Sequence, residues 1–266
     1  CSQVFERLPH HRRGRLRDAG GELAIRRDQR RGFFRRLESF AQCQGDRLRL
    51  GCRVGELGKA EGGFYDIYPP ADVVNGKWMA LPHSIVGNAV AYRKSWLKEA
   101  GASQYPKTWE EAHKLFAALK KKGKPYGQTL GHTFGDAPTF TYCMLWAFGG
   151  METDKTGKKV VLNGKAAVDS VKFMQSFWKD CCDEGGLAWD DTNNNRAFHA
   201  GEISATLNGA SIYIVAKRQK EKIKDDKGEP MWTDIDHAPL PAGPAGAYLL
   251  FLNHSDAIMK YSKNPK

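Results

Sequence analysis

Gly186-Leu187-Ala188-Trp189-Asp190-Asp191-Thr192-Asn193-Asn194-Asn195-Arg196-Ala197-Phe198-His199-Ala200-Gly201-Glu202 is the stretch on which the reading of this 266-residue chain turns. It opens as a polar loop with one tryptophan in it. It then predicts a short helix around Asn194–Ala200, stopped by Gly201. Downstream, Ile203 to Leu207 reads as a buried strand that runs into Asn208-Gly209, and Ser211 to Lys224 reads as a helix with a basic outer face. Loop, helix, strand and helix in this order predict an α/β chain.

The same alternation extends upstream. Phe64 to Ile67 looks like a strand end. Lys77 to Pro82 reads as a strand after an Asn75-Gly76 turn, and Asn88 to Tyr92 as a second strand, which makes a hairpin-like pair plausible. Thr108 and Glu111 form a T-x-x-E capping box. Trp109, Ala112, Leu115, Phe116 and Leu119 follow on one helical face, and Lys120-Lys121-Lys122-Gly123 closes the helix with cations at its negative end. Pro125 to Leu130 suggests a strand and Pro138 to Phe148 an apolar helix closed by Gly149-Gly150, and Asp154 to Gly157 reads as a polar turn before Val160-Val161-Leu162. Asn163 is expected to cap a helix whose inward face carries Val168, Val171, Met174 and Trp178. Beyond residue 224, His237 to Pro244 reads as extended and Tyr248 to Leu252 as a strand.

The charge of +11 is unevenly spread. Residues 1–58 hold 14 Arg, no Lys and 7 acids, a net +7, whereas residues 59–266 hold 27 bases, 24 of them Lys, and 23 acids, a net +4. A switch from exclusive arginine to almost exclusive lysine has no physical cause within one folded protein. Residues 1–54 are therefore expected to be an aberrant segment, from a frame error or wrong start. A disordered arm and a phosphate-neutralising nucleic-acid arm are the alternatives. No apolar run reaches the roughly 18–20 residues of a membrane span, and no signal-peptide pattern is read at the start. Cys1, Cys43, Cys52, Cys143, Cys181 and Cys182 show no CxxC or Cys/His spacing, so no metal and no cofactor is expected.

Several residues together resemble family 1 extracellular solute-binding proteins, the substrate-binding components of ABC sugar importers, to which maltose-binding protein is distantly related. They are Gly76-Lys77-Trp78-Met79-Ala80-Leu81-Pro82, Tyr105-Pro106-Lys107-Thr108-Trp109-Glu110-Glu111, Gly149-Gly150, Asn195-Arg196-Ala197-Phe198-x-x-Gly201-Glu202, Asn208-Gly209 and the His237 to Pro244 passage, in the family's order. The resemblance covers about Gly55 to the end. It implies a two-lobe type II periplasmic-binding-protein-like α/β fold, here with an incomplete N-lobe. It also implies a periplasmic site, a carbohydrate ligand gripped by lobe closure, docking to ABC permease subunits, a monomer, and no catalysis. The lobes would be 55–130 and 131–246, with 247–266 returning towards the first.

A sugar site needs polar side chains for hydroxyls and an aromatic plane for the flat C–H face. The candidates are His83, Asn88, Asp136, Thr139, Trp189, Asn208 and Tyr213. Each has a plainer reading. These are a surface histidine for His83, a turn for Asn88 and Asn208, helix capping for Asp136 and Thr139, and core packing for Trp189, while Tyr213, on the following helix, is the weaker aromatic candidate. Trp146, at helical spacing from Tyr142, reads as core. A glycoside-processing enzyme built on Asp190 and Asp191 is the alternative function, weakened because adjacent side chains point apart. A calcium loop over Asp191–Glu202 fails because Arg196 stands where a sharp turn requires glycine.

Overall fold

The structure, a computed structural model, describes residues 68–259 and 261–263. The expected strand end at Phe64–Ile67 and the arginine-rich opening lie outside those residues. The elements run α1 (Tyr68–Asp72), β1 (Val73–Val74), β2 (Lys77–Trp78), β3 (Leu81–Gly87), β4 (Ala89–Arg93), α2 (Lys94–Glu99), α3 (Trp109–Lys121) and α4 (Asp136–Ala147). They continue with α5 (Lys165–Cys181), α6 (Asn193–His199), β5 (Ala205–Asn208), α7 (Ser211–Arg218), β6 (Ile235–Ala238) and β7 (Phe251–Asp256). The described residues fall into two compact units, 85–252 and 68–84 with 253–259 and 261–263.

In the larger unit β4 is the central strand of an antiparallel sheet ordered β5-β4-β6. Val90 stands opposite Leu207 on one side and Ala238 on the other. Successive strand residues face opposite ways, and that alternation sorts two cores. Val90, Ala205 and Leu207 join Trp109, Phe116, Phe140 and Phe177 from α3, α4 and α5. Ala91 joins Ala197, Phe198, Ile212 and Ala216 from α6 and α7. The sheet is thus covered on both faces, and β4 and β5 are accordingly buried along most of their length.

α3 starts where the capping box places it. Thr108 Oγ1 accepts from the Glu111 N–H at 3.2 Å, and Glu111 Oε2 accepts from the Thr108 N–H at 3.3 Å. Its inward rings pack edge to face: Trp109 with Phe177 at 5.5 Å and Phe116 with Tyr126 at 4.9 Å between centroids. Such pairs add about 0.5–1.5 kcal/mol each beyond burial. Arg93, 1% exposed at the end of β4, donates from Nε to Asp234 Oδ2 at 2.7 Å and lies 4.6 Å over the Trp96 ring.

Several expectations are corrected. The stretch Lys77 to Pro82 is not one strand, because β2 ends at Trp78 and the Met79 N–H turns back to the Asp72 carbonyl at 2.8 Å. The expected hairpin-like pairing of Lys77–Pro82 with Asn88–Tyr92 does not form, and Lys77 and Trp78 pair with β1. β3 pairs with β7 instead, and β4 with β5 and β6. Pro125 to Leu130 makes only isolated bridges, at Tyr126. Gly164, not Asn163, precedes α5, without a side-chain cap. Met174 and Trp178 pack half-buried against the first core as expected, but the rest of the inward face of α5 is Ala167, Ser170, Phe177 and Cys181, while Val168 and Val171 are 44% and 59% exposed. Seating Phe173 and Phe177 against Trp109 turns the valines outward. α7 stops at Arg218 rather than Lys224, and β7 begins at Phe251 rather than Tyr248.

In the smaller unit Asn75 (φ 51°) and Gly76 (φ 75°) form the two-residue turn of the β1–β2 hairpin, the left-handed pair such a turn demands. Ser255 Oγ donates to Asp72 Oδ2 at 2.7 Å. The division between the units falls inside both β3 and β7, at 84/85 and 252/253. Residues 85–130, assigned from the sequence to the first lobe, pack in the same unit as 131–252. The assignment of lobes remains a proposal.

Candidate binding site

Three segments of the larger unit meet at the amino end of α4. The first is the loop 131–135 that leads into Asp136. Gly131 lies against the Trp189 carbonyl, where a Cβ would sit 2.3 Å from that oxygen. Gly135 has φ 151°, and a Cβ there would meet Asp191 Oδ2 at 2.5 Å. Glycine at these two positions therefore lets the loop close on the second segment, 188–192. Hydrogen bonds fix the closure: Thr129 Oγ1 donates to the Asp190 carbonyl at 3.2 Å. Asp191 Oδ1 accepts from Thr133 Oγ1 at 2.9 Å and from the Asp136 N–H at 3.0 Å.

The third segment is the pair α6 and β5. On β5, Thr206 and Asn208 alternate with the core residues Ala205 and Leu207 and so share the α6 face. Asn194, fully buried on α6, donates from Nδ2 to Asp136 Oδ2 at 2.7 Å and to Thr206 Oγ1 at 3.3 Å. Asn208 Nδ2 reaches Asp136 Oδ2 at 3.3 Å and Asn195 Oδ1 at 3.0 Å. Asn208 Oδ1 accepts from the Gly209 N–H at 2.6 Å and from Ser211 Oγ at 3.1 Å.

Counting partners separates the groups held by the protein from those left for a ligand. The Asn194 and Asn208 amides are committed within the network. Asp136 Oδ1, Asp191 Oδ2 and Asn195 Nδ2 have no hydrogen-bond partner among the described residues. Burial raises the Asp136 carboxyl from 3.8 to about 6, the Asn194 amide opposes that rise, and the negative Asp191 adds to it. No cation pairs with either carboxylate among the described residues. Phe134, between the two anchored ends of its loop, is 87% exposed.

The structure thus brings Asp136 and Asn208 into direct contact. Asn88 is buried next door, with Oδ1 3.7 Å from where a Gly209 Cβ would stand and its neighbour Ala89 opposite Asn208. Thr139 is buried, and its hydroxyl donates to the Gly135 carbonyl at 2.7 Å, so it secures the first turn of α4. Trp189 contributes its backbone to the Gly131 contact, while its ring packs against the second core. Tyr213 belongs to a separate cluster with Trp232 (6.1 Å) and His237 (6.3 Å), beneath Lys217. His83 lies in the smaller unit, 3.8 Å from Asp256. Trp146 stacks on Tyr142 and donates to Glu152 at 3.0 Å.

The reading from residues missed Asn194, Asn195 and Phe134. The signal for Asn194 was present: it precedes Phe198 by four and Ala197 by three, the spacing of the buried stripe of α6. A buried amide must be hydrogen-bonded, so Asn194 was bound to anchor something. Asp190 and Asp191 diverge. Asp190 Oδ1 accepts from the Thr192 N–H and hydroxyl, while Asp191 faces Thr133 and Asp136. A shallow hollow of about 530 Å³ lies elsewhere in the unit, lined by Tyr92, Lys94, Lys98, Gln104, Tyr105 and Asp236. It contains none of the network residues, and its size gives no reason to move the site there.

The sequence matches the family of bacterial extracellular solute-binding proteins over residues 52–260. The match begins close to the change in composition near Gly55–Lys59. A probable ABC transporter-binding protein of Deinococcus radiodurans is 28% identical over 205 residues, covering 73% of this chain and 46% of the relative. The chain thus spans about half the length of the curated relative it matches. Among solved structures, maltose-bound MalE3 of T. maritima is similar with a TM-score of 0.65 at 21% identity, over 88% of this chain and 62% of that one. A solute-binding protein of Thermotoga lettingae bound to α-D-tagatose gives 0.64 at 16%, over 78% and 52%. A sugar transporter of Arthrobacter chlorophenolicus with laminaribiose gives 0.58 at 22%, over 75% and 48%. At these identities the likeness establishes the fold, which is that of type II periplasmic binding proteins.

Proposed function

The chain belongs to the bacterial extracellular solute-binding proteins, and on that premise we propose that it captures a carbohydrate in the periplasm and delivers it to the permease subunits of an ABC importer. The observation that carries this reading is the network at the start of α4. Two stretches distant in sequence, 131–136 and 188–208, converge to leave two carboxylate oxygens and one amide donor unspent, next to the exposed Phe134. A sugar hydroxyl both donates and accepts, so a carboxylate oxygen and an amide N–H side by side suit one hydroxyl pair. A pyranose C–H face suits the Phe134 ring. Asp136, Asp191 and Asn195 would contact the ligand. Asn208 and Thr139 would hold the contacting groups in place.

Nothing in the network calls for bond making. Asp190 and Asp191 do not face a common point: Asp190 accepts from Thr192, and Asp191 from Thr133 and the Asp136 N–H. The protein would act by reversible binding, as a monomer and without nucleic acid. The solved relatives are described with maltose, tagatose and laminaribiose, which makes these sugars the first to try. Thermal unfolding of the full chain in a panel of these sugars tests the reading, with chromatography of the same samples for product. A binder gains about 2.7 kcal/mol at a sugar concentration of about 100 Kd and leaves the sugar intact. Released product would favour the glycoside-processing alternative, and the absence of any stabilisation would overturn the assignment of the ligand class.

A further inference from the structure

We infer that Asn194 is the positioning residue of this site: its buried amide clamps Asp136 Oδ2 to Thr206, so that Asp136 presents Oδ1 to a ligand as an acceptor. This rests on the carbohydrate reading for the ligand, but not for the clamp itself. Asn194 is fully buried, and each of its polar groups is used. Nδ2 donates to Asp136 Oδ2 and Thr206 Oγ1, and Oδ1 accepts from the Asn195 N–H at 2.9 Å. One side chain therefore links α4, β5 and the next residue of α6. Asn195 is in turn the group that Asn208 fixes. No atom of Asn194 is left for a ligand, so its effect must pass through Asp136 and Asn195.

The clamp has an electrostatic consequence. An amide N–H donating to a carboxylate favours the charged form, whereas burial and a neighbouring carboxylate favour the neutral one. Asp136 experiences all three, with Asn194 opposing the other two. The surrounding elements supply little else. Asp191 is the charged group in contact, from the loop before α6. Asp190, on the same loop, and Arg196, on α6, are engaged with Thr192. His132, in the loop before α4, is exposed. On α6, His199 bonds the Ile212 carbonyl at 2.9 Å, and β5 presents only the neutral Thr206 and Asn208. Sugar affinity should therefore fall as pH drops through about 6 and Asp136 takes up a proton. The position of that fall should be set by Asn194.

The test is a carboxyl carbon NMR titration of Asp136 in the full chain, for wild type, Asn194→Ala and Asn194→Ser, with sugar affinity measured at each pH. Losing the charge-assisted bond should move the Asp136 midpoint upward by about one unit in Asn194→Ala. Serine, which retains a hydroxyl donor, should give a smaller shift, and it carries the test if the alanine variant does not fold. The pH at which affinity halves should move with the midpoint. An unmoved midpoint in a folded variant, or an affinity loss equal at every pH, would show that Asn194 only fills space. A moved midpoint in a protein that binds no sugar would instead support the clamp and contradict the carbohydrate reading.

Discussion

Replacing Asp136 with asparagine should stabilise the protein at neutral pH while weakening its grip on a ligand. The carboxyl is raised from 3.8 to about 6, chiefly by burial and further by Asp191. In the window between those values the folded state binds more protons than the unfolded state. Stability therefore decreases as pH rises through that window, and the full penalty is present above about pH 6. A gap of about two units corresponds to about 3 kcal/mol at pH 7.5, an upper bound because the group is only half-buried. Asparagine keeps the acceptor that Asn194 and Asn208 use, and it removes the charge. Its unfolding midpoint should exceed wild type by at most about 6–12 °C at pH 7.5, given about 2–4 °C per kcal/mol for a domain of this size. At pH 4 the two curves should nearly coincide, because wild-type Asp136 is then protonated when folded. Differential scanning calorimetry at the two pH values reads this directly. A destabilised variant at pH 7.5, or a gain that does not change with pH, would refute the argument that a desolvated charge is held there.

Other outcomes follow from the same geometry. Asn195→Ala and Phe134→Ala should each weaken sugar affinity about tenfold, equivalent to about 1.4 kcal/mol, with the midpoint of Phe134→Ala close to wild type because its ring is exposed, and that of Asn195→Ala lowered by about 1 kcal/mol of stability for the lost Asn208 bond. Calorimetric titration beside thermal unfolding separates the two effects, and unchanged affinity in both would displace the site. Asp234→Ala should cost about 3–5 kcal/mol in denaturant unfolding, because it removes the shorter of the two ion pairs of the buried Arg93 guanidinium and leaves only Asp226 at 3.4 Å, with Nη1 already lacking a partner among the described residues. A loss below about 1 kcal/mol would mean that Asp226 or solvent satisfies Arg93.

What the sequence made legible was local. The α3 boundaries follow from Thr108 and Glu111, since a capping box is written in four adjacent residues. The β1–β2 turn follows from Asn75-Gly76, which tolerate positive φ. Strand pairing was not legible, because β4 meets its partners more than a hundred residues away and nothing near Asn88 encodes that choice. The face of α5 was misjudged for a related reason: valines at helical spacing looked like core, but the α3 rings across the interface set the rotation. Asp136 and Asn208 were legible as polar residues at element ends. That they touch depended on Gly131 and Gly135 letting two loops close. Trp189 was chosen as an aromatic in a polar loop, yet the loop folds its ring onto the second core and leaves Phe134 outside.

The most direct measurement is an NMR titration of the full chain with maltose, laminaribiose and tagatose, following the side-chain amides of Asn194, Asn195 and Asn208. At least one sugar should shift the Asn195 and Asn208 amide signals saturably, at the concentration dependence seen by calorimetry. If every sugar leaves these amides unmoved, or if saturable shifts cluster around Tyr92 and Tyr105 instead, the network at the start of α4 is not where the ligand binds.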